Sequence, residues 1–183
     1  SEMCIRDSYH QLMKRNGASP EVAKAAVRRS NTIIASLMVT LGDADAMICG
    51  LVGTYETHLE RIHSIIGRQE GANNYAALNA LMTNRGTLFI ADTYVNEDPT
   101  AQQLADIAWM SVQEVQRFGI PPKVAFLSHS SYGSSKRASA RKMREARDLF
   151  VAAHPEIECD GELHGDCLLY TSDAADEGLG VDL

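Results

Sequence analysis

Short apolar runs alternate with longer amphipathic segments along most of the 183-residue chain. The run 87–92 is apolar on both faces, as the buried strands of parallel sheets are, and 123–128 is a second apolar run. Parallel strands must be joined by crossovers of a dozen or more residues, and the segments between the runs have helical period and length. This alternation predicts an α/β fold with a largely parallel sheet.

Start and stop signals place the individual elements. Ser19 supplies a capping hydroxyl before Pro20 and Glu21, which begin a helix, and Gly42 ends it. We predict helices over 20–41, 55–66, 99–118 and 136–153, and strands at 46–49, 79–82, 87–92, 123–128 and from 157 onward. Because ligands bind beyond the carboxyl ends of parallel strands, we expect the site at the loops 92–96, 128–135 and 160–166.

The two ends of the chain differ from the rest. Residues 3–8 and 167–177 resemble translated sequencing-adapter sequence, although an ordinary disordered tail is the alternative for the C-terminal end. We expect 1–8 and 167–183 to be non-native, and we expect 1–8 and 168–183 to make few packed contacts. The region 9–166 would then hold the end of one subdomain and much of a second.

Charge and cysteine content exclude several classes of protein. The net charge of −7 falls to −2 without the two ends, which hold six of the 24 acids and one of the 17 bases. A nearly neutral chain predicts neither a nucleic-acid nor a membrane partner, and no apolar run approaches the ~20 residues that span a bilayer. Four cysteines without pairing or metal-ligand spacing fit a reducing, cytoplasmic setting.

The stretch 128–135 offers the most chemistry. It follows a predicted strand, contains five serines and Gly133, and precedes a predicted helix whose N-terminal amides would favour an anion. A run of six basic residues follows: Lys136, Arg137, Arg141, Lys142, Arg144 and Arg147. A phosphate-bearing ligand and a capped helix with a solvated basic face explain this pattern equally well. The stretch is neither a Walker loop nor a dinucleotide fingerprint.

Several stretches together resemble the phosphate acetyltransferase family, including its Ser-x-Ser-x-x-Gly-Ser loop at 128–135. The others, in the family's order, are 41–47, 89–96 with 98–108, and 160–163. The resemblance implies a three-layer α/β/α fold like that of isocitrate and isopropylmalate dehydrogenases, with the active cleft between two domains. It also implies acetyl-CoA or acetyl phosphate as ligand. The candidate binding residues are Ser128, Ser130, Ser131, Gly133, Ser134, Ser135, Lys136, Arg137, Asp92 and Thr93.

The chain also departs from active members of that family. Glu60 occupies the place where we expect an arginine, and Thr93 the place of a frequent cysteine. The stretches 53–59 and 91–96 resemble instead the transacetylase-like half of hybrid malic enzymes. That resemblance implies a regulatory acetyl-CoA domain that helps form a homo-oligomer. It places NADP and a divalent metal in a malic-enzyme half outside this chain.

The alternatives are a catalytic phosphate acetyltransferase and a purely structural oligomerisation module. No catalytic residue can be assigned, and we expect no cofactor and no metal site in this chain. His58 and His63 lie five residues apart, so they do not share a helix face, and we interpret His164 as part of a polar loop.

Overall fold

The computed structural model describes residues 2–84 and 86–167. The described residues fall into two compact units, which are divided between Glu70 and Gly71. The first is helical: α1 (Glu2–Met13), α2 (Pro20–Arg29), α3 (Asn31–Leu41) and α4 (Tyr55–Ile65), with a 3₁₀ turn at Lys14–Asn16. Hydroxyl side chains of Ser19, Ser30 and Thr54 cap the N-termini of α2, α3 and α4.

The predicted single helix over 20–41 is in fact two helices. The backbone of Ser30 is extended (φ −141°, ψ 107°), and its hydroxyl accepts a hydrogen bond of 3.3 Å from the Ile33 amide. The Ser30 hydroxyl offers the backbone this alternative bond, so a new N-cap replaces a continuous helix.

The first unit packs around its own apolar core. The buried residues of that core are Tyr9, Ala23, Val27, Ile33, Leu37 and Ile65. Ile5 is partly buried and packs against them, and α1 begins at Glu2. Ile5 thus packs against the core, whereas residues 1–8 are expected to make few packed contacts, and the non-native origin of this end stays a prediction. Of the C-terminal end, 168–183 lies outside the described residues.

The predicted strand at 46–49 is not formed. These residues have no regular secondary structure, and the Ile48 side chain is fully exposed. An isolated apolar run becomes a strand only when another strand completes its hydrogen bonds. None of the strands in the described part of the chain pairs with it.

The second unit contains the strands. Its elements are β1 (Asn79–Thr83), β2 (Gly86–Ile90), α5 (Ala101–Arg117), β3 (Lys123–Leu127), α6 (Ala138–Ala153) and β4 (Glu158–Leu163). The helix α5 begins with a reciprocal capping box, in which Thr100 bonds the Gln103 amide and the Gln103 side chain bonds the Thr100 amide. The predicted boundaries of α5 and α6 agree with the observed ones to within two residues.

The apolar composition of β2 predicted a strand of a parallel sheet, and this prediction is wrong. β2 pairs antiparallel with β1, with Asn79 opposite Ile90 and Thr83 opposite Gly86. Only residues 84 and 85 separate the two strands, which is far too short for a parallel crossover. The pair is a hairpin.

β3, α6 and β4 form the parallel part of the predicted fold. Lys123 lies opposite Glu158, and the register shifts between Phe126 and Leu127. The helices α5 and α6 pack on this pair through a core of Ala101, Ala105, Val112, Phe126, Ala146 and Phe150. β4 extends to Leu163, so most of the predicted 160–166 loop is strand. This βαβ unit carries all of the candidate binding residues except Asp92 and Thr93.

Candidate functional site

The serine-glycine loop, residues 128–135, connects β3 to α6 and is fixed to β4. The Ser128 amide donates to the Leu163 carbonyl at 2.9 Å, and the Tyr132 amide donates to the Glu162 carbonyl at 2.8 Å. Tyr132 (φ 46°) and Gly133 (φ 82°) both have left-handed backbones, and the Ser134 amide closes the turn on the Ser131 carbonyl. Two consecutive positive φ angles are typical of a type I′ turn and explain the glycine.

The Glu162 side chain organises the inner side of this loop. It has no solvent exposure. Its Oε1 accepts bonds from the Ser130 hydroxyl at 3.3 Å and the Gly133 amide at 3.2 Å. Arg144 of α6 donates to both carboxylate oxygens, at 3.1 and 3.0 Å. The carboxylate therefore holds two points of the loop and one point of the helix together.

Arg144 connects the same carboxylate to the end of the loop. Its Nη1 and Nη2 each donate to the Ser135 carbonyl at 3.3 Å. Burial acts to raise the pKa of Glu162, but hydrogen bonds from Arg144, Gly133 and Ser130, with the Arg144 charge, hold that pKa below its usual value. Glu162 is thus an ionised acid inside the protein.

Gly161 permits this arrangement. A Cβ at that position would lie 2.6 Å from the Phe126 carbonyl oxygen of β3. Only glycine allows the two strands to approach this closely at a φ of 126°. The Asp-Gly-Glu-Leu stretch therefore places a buried acid beneath the serine loop.

Two further bonds hold the loop from its flanks. The Tyr132 hydroxyl donates to Asp160 at 2.9 Å, and this bond raises the pKa of the Tyr132 phenol. The His164 amide donates to the Ser131 hydroxyl at 3.0 Å. Cys167, the first residue of the predicted tail, lies with its Sγ 3.8 Å from the Ser131 Oγ.

The outer side of the loop is more open. Ser134, Lys136 and Arg137 are exposed. No side chain caps α6, and among the described residues the amides of 138–140 find no acceptor. The capped helix that the sequence also allowed has no side-chain cap, because its N-cap residue is Arg137, whose side chain has no acceptor atom. Ser135 Oγ instead accepts from the Arg137 amide at 3.3 Å.

His129 lies across the outer side. Its Nε2 is 3.3 Å from the Ser135 Oγ and its Nδ1 is 3.5 Å from the Ser128 Oγ. The imidazole thus contacts both ends of the loop while remaining exposed. It is a polar residue of the site that sequence reasoning did not single out, although it lies inside the serine motif.

The basic run on α6 divides into two groups. Arg144 pairs with Glu162, Lys142 with Asp98, and Arg147 with Asp148. Lys136, Arg137 and Arg141 make no ion pair with any residue that the structure describes, so only these three cations remain available to an anion.

Asp92 and Thr93 belong to a separate loop after β2. The Asp92 carboxylate accepts from the amides of Ala77 (2.9 Å), Val95 (3.3 Å) and Asn96 (2.8 Å) and from the Asn96 side chain (2.6 Å). Burial acts to raise the pKa of Asp92, but these bonds hold it below its usual value. Asp92 thereby holds its own loop together. Thr93 is exposed, and a ligand role for either residue stays a prediction.

The first unit contains the other residues that the sequence drew attention to. Glu60 is exposed and Arg61 is half-buried on α4. His58 is buried: its Nε2 donates to the Val52 carbonyl (2.9 Å), and its Nδ1 is left to accept from the Thr32 hydroxyl (2.8 Å). The predicted cleft between domains, and any role of Glu60 in it, stay predictions.

A concavity of ≈ 410 Å³ lies in the first unit. It is lined by Arg6, Asp7, His10, Gln11, Pro20, Glu21 and Lys24. None of the predicted ligand residues lies there. Across 2–84 and 86–167, no three His, Cys, Asp or Glu side chains are grouped so as to hold a metal ion. Within the same described ranges, every helix is too short or too polar to cross a membrane.

A family model described as phosphate acetyl/butaryl transferase matches residues 2–178. The chain belongs to this family. Its loop, helix α6 and strand β4 are therefore parts of a transacetylase-type domain, and the predicted family is confirmed.

The relatives of this chain include malic enzymes and phosphate acetyltransferases. An NADP-dependent malic enzyme of Salmonella typhimurium is 49% identical over 164 residues, which are 90% of this chain and 22% of that protein. A phosphate acetyltransferase of Synechocystis is 31% identical over 174 residues, which are 95% of this chain and 25% of that protein. The chain thus spans about a quarter or less of these relatives.

Solved transacetylase structures share the fold. A phosphotransacetylase from Streptococcus pyogenes aligns with a TM-score of 0.76 at 28% identity, over 90% of this chain and 50% of that one. The EutD phosphotransacetylase of Staphylococcus aureus aligns with a TM-score of 0.74 at 25% identity, over 87% and 49%. These similarities confirm the phosphotransacetylase-type α/β fold, of which this chain spans about half.

Proposed function

We propose that this chain is the acetyl-CoA-binding, regulatory and oligomerising transacetylase-like domain of a longer, cytoplasmic NADP-dependent malic enzyme. The identity of 47–49% to three proteins named NADP-dependent malic enzyme supports this proposal, whereas a fourth of that name is 32% identical and one named phosphate acetyltransferase is 31% identical. In such a protein, malate is oxidatively decarboxylated to pyruvate elsewhere, where NADP and a divalent metal bind. This domain would sense acetyl-CoA.

The observation that carries the proposal is the outer side of the serine-glycine loop. It brings together the uncapped N-terminus of α6, the exposed Ser134, and two cations, Lys136 and Arg137, that have no ion-pair partner among the described residues. Unpaired helix amides and the helix dipole attract anions, and cations strengthen that attraction. The phosphates of acetyl-CoA fit this chemistry.

Self-association is the less direct part of the proposal. It is supported by the malic-enzyme similarity and by the apolar side chain of Met82, which is 84% exposed on β1. A second copy of the chain would cover this side chain in the proposed oligomer.

A catalytic phosphate acetyltransferase is the second candidate, because the family model and both solved neighbours carry that activity in their names. In that reaction the CoA thiolate attacks the carbonyl carbon of acetyl phosphate. The new C–S bond forms as the bond from carbon to the phosphate oxygen breaks, and phosphate leaves. The chain would supply a cationic phosphate site and positioning. The resemblance to active members speaks against it, because Glu60 occupies the place where those members are expected to carry an arginine.

The test is a double substitution, Lys136→Ala with Arg137→Ala, in the full-length malic enzyme. Malate oxidation is measured against rising acetyl-CoA. Each partly desolvated phosphate contact contributes roughly 1.5–3 kcal/mol, so half-inhibition should require about tenfold or more acetyl-CoA. The uninhibited rate should not change.

Arg117→Ala is the matched control, because Arg117 is an exposed cation at the last turn of α5 that pairs with Glu114. It should leave the inhibition curve unchanged. Unchanged sensitivity in the double variant would make Lys136 and Arg137 a solvated helix face. Loss of malate turnover would indicate a structural role in the oligomer. Acetyl phosphate formation by the unsubstituted protein would favour the catalytic candidate.

A further inference from the structure

The donors on the inner side of the loop are already occupied by an acid of the protein itself. The Ser130 hydroxyl, the Gly133 amide and the Arg144 guanidinium are groups that bind phosphates well, but all three point to the Glu162 carboxylate. Glu162 has no solvent exposure, so this arrangement is internal to the protein. Ser130, Gly133 and Arg144 are therefore unavailable to an outside anion in this conformation.

The same carboxylate indirectly fixes the outer side. Arg144, held by Glu162, donates twice to the Ser135 carbonyl, at the point where the loop enters α6. Ser135 in turn accepts from the Arg137 amide. The chain of contacts runs from the buried acid, through one arginine, to the residues that carry the exposed donors.

A buried ion pair is a costly way to fix a loop. Desolvation of the two charges offsets most of their attraction, and an apolar pair of similar volume is often as stable. The Arg144 side chain is 27% exposed, and Glu162 is fully buried. Fold stability alone therefore does not explain the pair, whereas a requirement for one loop geometry does.

We propose that Glu162 and Arg144 are positioning residues, which set the conformation in which the outer side of the loop binds the phosphates of its ligand. The ligand part of this inference rests on the function proposed above. The positioning part does not, because it concerns the conformation of residues 128–137 with or without a ligand.

Two variants of the full-length protein separate positioning from stability. Glu162→Gln keeps an oxygen acceptor for Ser130 and Gly133 but removes the charge that balances Arg144. Glu162→Leu combined with Arg144→Met replaces the pair with apolar side chains and removes the bonds to Ser130, Gly133 and Ser135. Three quantities are measured: the free energy of unfolding, amide hydrogen exchange of residues 128–137, and the affinities for CoA and for acetyl phosphate by calorimetry.

We expect opposite orders for stability and affinity. The apolar double variant should be at least as stable as Glu162→Gln, because no charge is left unbalanced. Its loop amides should nevertheless exchange about tenfold faster than in the unsubstituted protein, since Gly133 loses its acceptor. Its affinity for CoA should fall about tenfold or more, and Glu162→Gln should lose less.

Each of the other outcomes contradicts one part of the proposal. If loop exchange in the double variant is unchanged, Glu162 and Arg144 do not position the loop. If exchange accelerates while CoA affinity is unchanged, loop geometry does not govern binding, and the proposal fails. If the unsubstituted protein binds neither CoA nor acetyl phosphate, the proposed function fails. Hydrogen exchange then still decides the positioning role.

Discussion

Two loops of the second unit are each built around a carboxylate, but by different means. Asp92 accepts four hydrogen bonds, three of them from Val95 and Asn96 in its own loop. Glu162 lies on a different element from the loop that it holds and carries an ion pair with a helix. The first loop is specified locally. The second depends on packing of β4 and α6, which ties its geometry to the fold.

The two loops also differ in the polar groups that they leave available to a ligand. Around Asp92, the bonding atoms of the carboxylate are taken up within the protein. Around Glu162, hydrogen bonds to the carboxylate occupy the donors on the inner side of the loop. Ser134, Lys136 and Arg137 are exposed on the outer side. A loop whose interior is fixed by its own acid can present the rest of its polar groups in a constant arrangement, which is what anion recognition requires.

The largest expected effect comes from removing the buried acid. Glu162→Ala leaves Arg144 without its charge partner and Gly133 without an acceptor, so we expect a loss of about 3 kcal/mol in the free energy of unfolding. Urea denaturation of the full-length protein, followed by the fluorescence of its aromatic residues, measures this loss of stability.

β4 offers a matched control at its other end. Glu158 pairs with Lys123 at 2.8 Å, but both side chains are about 70% exposed. Glu158→Ala should therefore cost less than about 1 kcal/mol. Equal losses in the two alanine variants would mean that burial of the Glu162 pair does not matter.

The structural features that depend on neighbouring residues were predicted from the sequence. The capping signal at Ser19 begins a helix as expected, α5 begins within two residues of its predicted start, and the serine-glycine loop lies between β3 and α6. These features depend on residues three or four positions apart, whose interactions are set by the backbone of one element.

The parts that failed depend on residues far apart in the chain. Arg144 was counted among six cations that serve either a phosphate-bearing ligand or a solvated helix face, and 160–166 was expected to be a loop. The ion pair joins positions 18 residues apart, and neither helical period nor turn propensity encodes it. The Asp-Gly-Glu-Leu stretch was recognisable as a motif. The signal that could have revealed its role is the glycine before the acid, which is typical of a close approach between backbones.

The loop around Asp92 should show a loss of stability of intermediate size. Asp92→Ala removes the acceptor of four donors, three of which are backbone amides. Because the carboxylate is only half-buried, water replaces part of the loss, and we expect about 2 kcal/mol of destabilisation. Thr93→Ala, at the exposed neighbouring position, is the control and should change stability by about 0.5 kcal/mol or less. A fall in CoA affinity at unchanged stability would instead support the ligand role that the sequence suggested for Asp92.

The smallest effect is the part of the Asp92 contribution that depends on pH. The pKa of Asp92 is lowered in the folded protein, so the folded state favours the ionised form more than the unfolded state does. The resulting stabilisation is complete above the unfolded pKa of about 3.9 and is lost as pH falls through the lowered folded value. Asp92→Asn cannot ionise and lacks this term at every pH. Urea denaturation of both proteins at a series of pH values from about 6 down to about 3 should show their stabilities converging as the solution becomes acidic. A difference that stays constant over this range would mean that the loop binds the neutral side chain as well as the carboxylate. The charge at Asp92 would then have no part in holding the loop.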